Sequence, residues 1–526
     1  MKYNILYTII FSILFISLEF FFRIEYETLE NITKTSNYVE IFLIFFLLSF
    51  LPKKIANISL TFLATMFIIE VLHFNYFGYF LFPTEFILLF QKFHEVLETG
   101  VTVLNVLILP IIFALIIALT AYFTNKLTKK RIIYNKLKYI LYLIILIPIV
   151  NTGIHYKKRT LGERPNTNKS ILKNELYVVK AFLGKTLPLT LLDIQTVQKY
   201  ANDKFTKNTQ TNNLDTIVLV IGESLSLHYM NLYGYDIKNT PNLLKLQKND
   251  THFIALKATS AGMYTDTSIP MIINAEKRPN AINHILSNET NLFKLAKENG
   301  FNTYFISAQA KDGFSYIRNY IGLKYIDKYV DSSNYGFDKY TSALDNILEK
   351  ELEQIDFSQK NFIVLNMIGS HEPYEIRVPK DFKPFGSSNH LDNYNNTVAY
   401  TDSILNNIIQ FIKEKNKKIL FLFTSDHGQH VTKQSLGKGN LNDIRDYQVP
   451  VILYSHNFDI NNSLIKRLKS TKLTSHYNMA LLASYYLGYN TLKYIDTNRS
   501  FIDGNELSGN GGYIEYNLKT NEHTIK

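Results

Sequence analysis

The sequence of 526 residues contains no cysteine. Disulfide frameworks, CxxC redox chemistry, cysteine nucleophiles and thiolate zinc sites are therefore excluded. The compartment stays open, because a domain without disulfides can fold on either side of a membrane. The composition is also not that of a collagen, a coiled coil or a low-complexity scaffold. What is present is a chain too long for one ordinary domain, 46% hydrophobic and 19% charged.

The charge balance is basic, with a net charge of +11. Such a surplus suits an anionic partner, either nucleic acid or the headgroup layer of a membrane. No nucleic-acid-binding motif accompanies the charge. The sequence therefore favours lipid headgroups and predicts no nucleic acid partner.

The first 156 residues are dense in Phe, Ile and Leu and predict a membrane domain of five α-helical spans. An apolar helix of roughly 20 residues spans the hydrocarbon core of a bilayer. The predicted spans are Asn4–Phe22, Val39–Pro52, Ala56–Phe80, Val101–Phe123 and Tyr139–Ile154. A cleaved signal peptide is the alternative for the first span. It is disfavoured because no small-residue cleavage site follows and further spans do.

Basic residues in the short loops predict the orientation of these spans. They are Lys2, Lys53, Lys54, Lys126, Lys129, Lys130, Arg131, Lys136 and Lys138. In a five-span protein all of them lie on one side, which the positive-inside rule makes cytoplasmic. The N-terminus is then cytoplasmic, and everything after residue 155 lies on the far side of the membrane.

The loop between the third and fourth spans carries Glu85, His94, Glu95 and Glu98. It would face the same side as the C-terminal domain, where its carboxylates, Glu98 among them, could meet an ammonium headgroup. A solvated interfacial loop is the alternative.

Residues 157–214 are rich in Lys, Asn and Thr and predict a linker. Two apolar patches within it, SILKNELYVVKAFLG and LTLLDIQTVQKYAN, are typical of short amphipathic helices. We expect them to lie on the membrane surface.

Residues 215–526 predict an extracytoplasmic α/β domain. Short β-branched or aromatic runs alternate with helical stretches, which favours a mostly parallel sheet covered on both faces. The predicted strands are Thr216–Ile221, Asn302–Ser307, Asn361–Met367, Lys418–Thr424 and Val449–Tyr454, and the predicted helices are Asn242–Gln247, Asn291–Glu298, Ser342–Glu353, Tyr394–Lys415 and Ser475–Leu487. Ligands bind at the carboxyl ends of the strands in such sheets.

Polar clusters follow three of these strands. Glu223 follows the first, His371 follows the third, and Asp426 and His427 follow the fourth. A single Glu after a strand is usually no more than a helix-opening residue, but three clusters at one edge of one sheet indicate a site. Carboxylates and imidazole are ligands that zinc accepts when thiolates are absent.

A nucleophile could come from residues 258–270, ATSAGMYTDTSIP, a hydroxyl-rich turn between the first two predicted strands. Ser and Thr are common turn residues, so a plain loop is the alternative.

The order of these features resembles the membrane phosphoethanolamine transferases of Gram-negative bacteria, a family of the alkaline phosphatase and sulfatase superfamily. The features are five spans, IVLVIGES, a Thr-rich loop ending in Pro, SHEPY and TSDHG, and together they cover nearly the whole chain. The resemblance implies that Glu223, Asp426 and His427 hold a catalytic zinc. It also implies that Thr265, five positions before the loop's proline, is the nucleophile and a further ligand. His371 would contact the transferred phosphate or a second zinc.

The sequence departs from the family's pattern in three places. Cysteines that often bracket the nucleophile loop are replaced by Ala261 and Met271, so packing must hold the loop. The usual ES after DHG is Gln-His, which makes His430 a candidate substrate-binding residue. A further family histidine has no clear counterpart, and His430 or Lys438 could serve in its place.

The activity implied by the resemblance is transfer of phosphoethanolamine from phosphatidylethanolamine, through a phospho-threonine enzyme, to a lipid or glycan acceptor of the cell envelope such as lipid A or lipooligosaccharide. One or two zinc ions would serve as cofactor. The location implied is the inner membrane, with the catalytic domain in the periplasm.

Three other functions share some of these features. A sulfatase needs x-Pro-x-Arg after its modified residue, whereas Ser268 and Pro270 are followed by Ile272. Phosphoglycerol transferases, including lipoteichoic acid synthases, share the five spans and the metal chemistry and are the serious alternative. A non-enzymatic membrane sensor with a decayed domain would have no reason to retain Glu223 and Thr265 together.

Overall fold

The computed structural model describes residues 1–25, 35–77, 80–81, 83, 104–154, 169–191, 204–208, 214–509 and 511–526. They form two compact units, Met1–Ile194 and Gln195–Lys526. The division between the units falls inside the linker predicted over 157–214. Ile171 and Leu172 pack in the core of the first unit, whereas Phe205 packs against the core of the second. The predicted domain boundaries themselves stay predictions.

Five apolar helices occupy the described part of residues 1–154. They are α1 (Lys2–Glu25), α2 (Thr35–Ser49), α3 (Lys53–Phe77), α4 (Leu104–Leu127) and α5 (Leu137–Ile154). In the described ranges, four helices are long and apolar enough to cross a membrane: α1, α3, α4 and α5. Helix α2, the second predicted span, is shorter, because its 15 residues rise only about 22 Å. The N-terminal part is therefore a region of apolar helices, as predicted, with four candidate spans among the described residues where five were predicted.

The first amphipathic patch of the predicted linker is helical. It forms α6 (Ile171–Ala181), a π-helical turn (Phe182–Thr186) and α7 (Leu187–Leu191). The Ser170 hydroxyl caps α6 by accepting a hydrogen bond from the Lys173 amide. Most of the second patch, and the loop with Glu85, His94, Glu95 and Glu98, lie outside the described residues.

The second unit is built on a mostly parallel sheet, which confirms the predicted fold class. Its strands are β1 (Thr216–Gly222), β2 (Phe253–Thr259), β3 (Asn302–Ser307), β4 (Lys328–Val330), β5 (Asn361–Asn366), β6 (Ile419–Ser425), β9 (Gln448–His456) and β10 (Thr474–Ser475). They lie side by side in the order β10-β2-β9-β6-β1-β5-β3-β4. Only β9 runs antiparallel to its neighbours β2 and β6 within residues 214–509.

Two smaller sheets and eight helices complete the described part of this unit. The sheets pair β7 (His430–Val431) with β8 (Leu436–Gly437), and β11 (Arg499–Asp503) with β12 (Tyr513–Asn517) and β13 (His523–Ile525). The helices are α8 (Pro241–Asn249), α9 (Thr265–Ile273), α10 (Ile282–Ser287), α11 (Leu292–Lys297), α12 (Asn346–Glu353), α13 (His390–Lys413), α14 (Asn462–Leu468) and α15 (His476–Tyr486). Both sides of the sheet are covered, and every residue of β1 and β6 is buried.

Helix α9 corrects one sequence prediction, because residues 258–270 were expected to form a turn. The stretch instead contains the end of β2 and the first part of α9. Ile269, Met271, Ile272 and Ile273 are all completely buried. Burial of these apolar side chains outweighs the turn preference of the Thr and Ser residues before them.

Candidate active site

The site lies at the carboxyl edge of the two central strands. β1 and β6 are parallel and adjacent, and Gly222 is in register with Ser425. The next residue of each strand, Glu223 and Asp426, therefore emerges at the same edge. The Asp426 amide donates to the Gly222 carbonyl oxygen at 2.9 Å, which continues the pairing past the last strand residues.

Glu223, Asp426 and His427 form a cluster that could hold a metal ion. One ligand atom from each lies within 4.8 Å of the others. The Nε2 atom of His427 is 3.4 Å from Glu223 Oε1 and 3.4 Å from Asp426 Oδ2. All three side chains are at most 1% exposed. The structure thus brings together the three residues predicted as zinc ligands.

Thr265 lies against this cluster as the first residue of α9. Its hydroxyl oxygen is 3.1 Å from Glu223 Oε2 and 3.3 Å from His427 Nε2. The side chain is half-buried, unlike those of the cluster. A hydroxyl in this position can be reached by a substrate while it touches residues that could bind a metal ion.

Neighbouring polar groups orient the cluster. The Nδ1–H of His427 donates to the Gly428 carbonyl oxygen at 2.8 Å, which leaves Nε2 to face the carboxylates. The Ser224 hydroxyl donates to Glu223 Oε1 at 2.7 Å, and the Ser224 amide donates to Asp426 Oδ1 at 3.0 Å. Ser224 adopts φ 57°, a strained value for a residue with a side chain. Its backbone is held there by its contacts with the cluster.

Gln309 and Gly369 complete the surroundings of Glu223. Gln309 Nε2 donates to Glu223 Oε2 at 3.1 Å and to the Met367 carbonyl oxygen at 2.9 Å. Gly369 has φ +49°, and a Cβ there would lie 2.9 Å from the Glu223 nitrogen. Only glycine can therefore occupy this close approach to the site.

The electrostatics of the cluster are those of buried charges held close together. Burial opposes ionisation of Glu223, but the hydrogen bond and charge of His427 hold its pKa well below its usual range. Burial and the charge of Glu223 raise the pKa of Asp426 to about 7. Two carboxylates facing each other in a dry pocket repel unless a cation or a proton lies between them.

His371 also belongs to this region. Its Nδ1–H donates to the Glu372 carbonyl oxygen at 2.6 Å. Burial lowers the pKa of His371 to about 3, and the charges of Lys438 and Glu223 both act on it. The ring is therefore neutral, with an Nε2 lone pair able to accept a hydrogen bond or bind a cation. Its predicted contact with a transferred phosphate or a second zinc stays a prediction.

His430 and Lys438 were both candidates to replace the family's missing histidine. Nδ1 of His430 lies 2.8 Å from Asp446 Oδ1 in a buried pair. The positive charge of Lys438 acts on the pKa values of Glu223, Asp426 and His427. Which of the two stands in for the missing histidine stays a prediction. Contact between His430 and substrate stays a prediction, and Glu98 lies outside the described residues.

The segment that leads to Thr265 is held without a disulfide. Ala261 and Met271, at the places where relatives often have cysteines, pack in one apolar cluster with Ala281, Ile285 and Leu507. The expectation that packing holds this segment agrees with that cluster.

His476 is a residue of this region that the sequence motifs do not identify. The Ala261 amide donates to its Nδ1 at 3.0 Å, and its Nε2 lies 2.9 Å from Thr424 Oγ1. Burial lowers the pKa of His476 to about 3, so the ring is neutral. It therefore ties the end of β6 to the segment before Thr265. Its only signal in the sequence is a position at the start of a predicted helix.

We expect His476→Ala to lower the free energy of unfolding by about 1–3 kcal/mol, because the buried Ala261 amide loses its acceptor. Chemical denaturation of the full chain measures the change. The matched control is His456→Ala, which removes a half-buried ring near the Lys415 carbonyl oxygen. Equal losses in the two variants would show that His476 has no special part in holding the segment.

The fold and the site together define an α/β protein of the alkaline phosphatase and sulfatase type. A family model described as Sulfatase matches residues 215–480, half of the chain, and the protein belongs to the sulfatase family. The assignment made from the motifs is confirmed. The residues needed for a formylglycine are nevertheless not in place, since Ile272 stands where the arginine is required.

Several curated relatives are named phosphoethanolamine transferases, and others are named only as transferases. The chain is 28% identical over 274 residues to phosphoethanolamine transferase EptA of Helicobacter pylori, covering 48% of this chain and 50% of the relative. It is 26% identical over 275 residues to phosphoethanolamine transferase EptC of Escherichia coli, covering 47% and 46%. The matched region therefore spans about half the length of these relatives.

One solved structure resembles the chain over most of its length. It is the integral membrane lipooligosaccharide phosphoethanolamine transferase A (EptA) of Neisseria meningitidis, with a TM-score of 0.61 over 94% of this chain and 97% of the other. The sequence identity is 16%. At this identity the likeness is one of fold: N-terminal helices followed by an α/β domain.

Proposed function

We propose that the protein transfers phosphoethanolamine from phosphatidylethanolamine to an acceptor of the cell envelope such as lipid A or lipooligosaccharide. The observation that carries the proposal is the position of the Thr265 hydroxyl, 3.1 Å from Glu223 in a buried cluster of metal-ligand type. Similarity to phosphoethanolamine transferases supports the group transferred.

The cluster fits zinc in its chemistry. Two carboxylates and an imidazole are ligands that zinc accepts. Among the residues that the structure describes, no hydrogen-bond donor reaches Asp426 Oδ2, although this oxygen is buried. Such an oxygen needs a cation or a proton. When bound, zinc would lower the pKa of the Thr265 hydroxyl and neutralise charge on the phosphoryl oxygens.

The chain's own groups support a two-step transfer. Thr265 Oγ1 attacks the phosphorus and forms a new P–O bond, while the P–O bond to diacylglycerol breaks. Glu223, whose Oε2 lies 3.1 Å from the hydroxyl, can accept the hydroxyl proton, and diacylglycerol leaves protonated. An acceptor oxygen then attacks the same phosphorus, and Thr265 regains its proton. The start of α9, where the helix dipole is positive, favours the anionic phosphoryl group.

The membrane domain suits a donor confined to a lipid leaflet. Anchoring the catalytic unit to the same membrane raises the local concentration of donor. The basic short loops support a cytoplasmic N-terminus and a periplasmic catalytic domain in the inner membrane. We further propose that Glu98 and its neighbouring carboxylates contact the ethanolamine ammonium.

The donor is tested with full-length protein in vesicles that contain either phosphatidylethanolamine labelled in its ethanolamine or phosphatidylglycerol labelled in its terminal glycerol. We expect a phosphoethanolamine adduct on Thr265 in the first case and no adduct in the second. Peptide mass spectrometry locates the adduct. A glycerophosphate adduct would instead make the protein a phosphoglycerol transferase, and an adduct on Thr267 or Ser268 would refute the assigned nucleophile.

A further inference from the structure

A second candidate binding site is a cleft of about 550 Å³ in the α/β unit. Its volume falls in the range of roughly 300–1,000 Å³ found for small-molecule sites. Polar and aromatic side chains dominate its lining, among them His228, Tyr235, Lys257, Gln448, Lys472 and Asn521. The three residues of the metal cluster are not part of that described lining.

The cleft lies at the same edge of the sheet as the active site. Gln448, the first residue of β9, pairs with Thr259, the last residue of β2. The next amide along, that of Ser260, donates to the Tyr447 carbonyl oxygen at 2.8 Å. Ser260 begins the short segment that leads to Thr265. His228, another residue of the lining, follows Glu223 by five residues, so the lining continues into the catalytic segments.

The charge of the cleft suits an anion. Lys257 and Lys472 are both exposed on its lining, and Asp236 is the acidic residue among the described lining residues. Burial lowers the pKa of His228 against the raising effect of its hydrogen bond with Gln448, and the positive charges of Lys257 and Arg445 lower it further. Two ammonium groups at one opening can hold a phosphate by charge-assisted hydrogen bonds.

The uncharged part of the cleft is held in place by hydrogen bonds. His228 Nε2 lies 2.9 Å from Gln448 Oε1, and Gln448 Nε2 donates to the Tyr516 hydroxyl at 3.2 Å. The Tyr235 ring packs edge-on against Tyr229, with centroids 5.6 Å apart. Amides beside a fixed aromatic ring are the groups that recognise sugar hydroxyls and the flat face of a sugar ring.

We propose that this cleft binds a phosphorylated sugar of the acceptor, with Lys257 and Lys472 on the phosphate and the ring against Tyr235 and Gln448. The inference rests on the proposed transferase function and names the acceptor class and its place. The phosphate in the cleft is a group other than the attacked oxygen, which must reach Thr265. Holding the acceptor beside the nucleophile segment would orient it for the second step.

Binding is tested first, in full-length protein carrying Thr265→Ala so that no transfer occurs. The probe is glucose 1-phosphate, measured by isothermal titration in nanodiscs free of phosphatidylethanolamine. Because each lysine contributes a charge-assisted contact worth about tenfold in affinity, Lys257→Glu with Lys472→Glu should weaken binding by about 100-fold or more. The matched control is Lys245→Glu with Lys248→Glu, which changes two exposed lysines of α8 outside the cleft.

Three results of this titration would overturn the proposal. One is unchanged affinity in the cleft variant. Another is an equal loss of affinity in the control variant, which would indicate that the positive charge of the surface in general attracts the phosphate. The third is inorganic phosphate binding as tightly as glucose 1-phosphate, which would exclude recognition of the sugar.

Transfer is tested second, in protein that retains Thr265. In the cleft variant, the rate of transfer to a phosphorylated glycolipid should fall by at least about tenfold. The rate of adduct formation on Thr265, measured in a single turnover, should not fall with it. If adduct formation falls by the same factor, the cleft serves the donor and the acceptor proposal is wrong. If the unsubstituted protein forms no adduct at all, the transferase proposal fails, while the titration still decides whether the cleft binds sugar phosphates.

Discussion

Replacing Thr265 with alanine should reduce phosphoethanolamine transfer by on the order of 10⁴-fold or more, the scale seen when a catalytic nucleophile is removed. The substitution deletes the oxygen that lies 3.1 Å from Glu223 and leaves the three buried residues of the metal cluster in place. The variant should therefore fold, and it should still bind zinc. Transfer is measured with labelled phosphatidylethanolamine, and zinc by elemental analysis of the purified full-length protein.

Thr265→Ser is the matched variant for this experiment, because it keeps a hydroxyl in the same position. It should form an adduct of the same mass on residue 265 and retain part of the activity. Substantial transfer by the alanine variant would show that another group attacks the phosphorus. Loss of zinc together with activity in the alanine variant would assign Thr265 to metal binding and leave the nucleophile open.

Asp426→Asn should raise the Tm of the zinc-free protein but reduce the gain in Tm that zinc provides. Without zinc, Asp426 and Glu223 are two buried carboxylates in repulsion, and burial with the charge of Glu223 raises the Asp426 pKa to about 7. A neutral amide removes this repulsion, so Tm of the zinc-free variant should rise. For zinc binding, the variant loses one of the three protein ligands in the cluster. Its affinity for zinc should therefore fall by about 100-fold or more, and the zinc-induced gain in Tm should shrink accordingly.

Asp402→Asn is the control for a buried carboxylate outside the cluster. Asp402 accepts hydrogen bonds from the Asn242 and Leu243 amides at the start of α8. Replacing this carboxylate with a neutral amide should lower Tm, because the amides at the start of α8 lose a charged acceptor. The gain in Tm on adding zinc should stay unchanged. An Asp426→Asn variant that binds zinc as tightly as the unsubstituted protein would place the metal elsewhere. Thermal unfolding of the unsubstituted protein and both variants, with and without a chelator, measures all six states.

Most of the candidate metal cluster could be predicted because its residues immediately follow strands with strong local patterns. TIVLVI and ILFLFT are continuous apolar runs, typical of buried parallel strands, so the sequence alone places Glu223 and Asp426 at one edge of the sheet. Gln309 obeys the same rule, two residues after β3, but a lone amide carries no chemical signal in a sequence. Its hydrogen bond to Glu223 is visible only in the fold.

Other elements could not be predicted because their local patterns are weak. β2 has the sequence FIALKAT, in which Lys257 is exposed and the alternation is incomplete. β10 is a bridge of two residues, too short for any periodicity, yet it leads into His476. The helix that begins with Thr265 has the pattern of a turn because its first residues are Thr, Asp and Thr, and the apolar residues that stabilise it come later.

The sequence by itself determined the two-part organisation, the parallel sheet and the identity of the three metal-ligand candidates, because each follows from runs of neighbouring residues. Only the tertiary structure decided what surrounds them. Thr265 and Glu223 are 42 residues apart in the chain and Ala261 and His476 are 215 apart, yet each pair is in contact. Lys257 and Lys472 likewise meet at one cleft from distant segments. Contacts of this kind arise from the packing of strands and helices against a common core, a property of the whole chain that no local pattern contains.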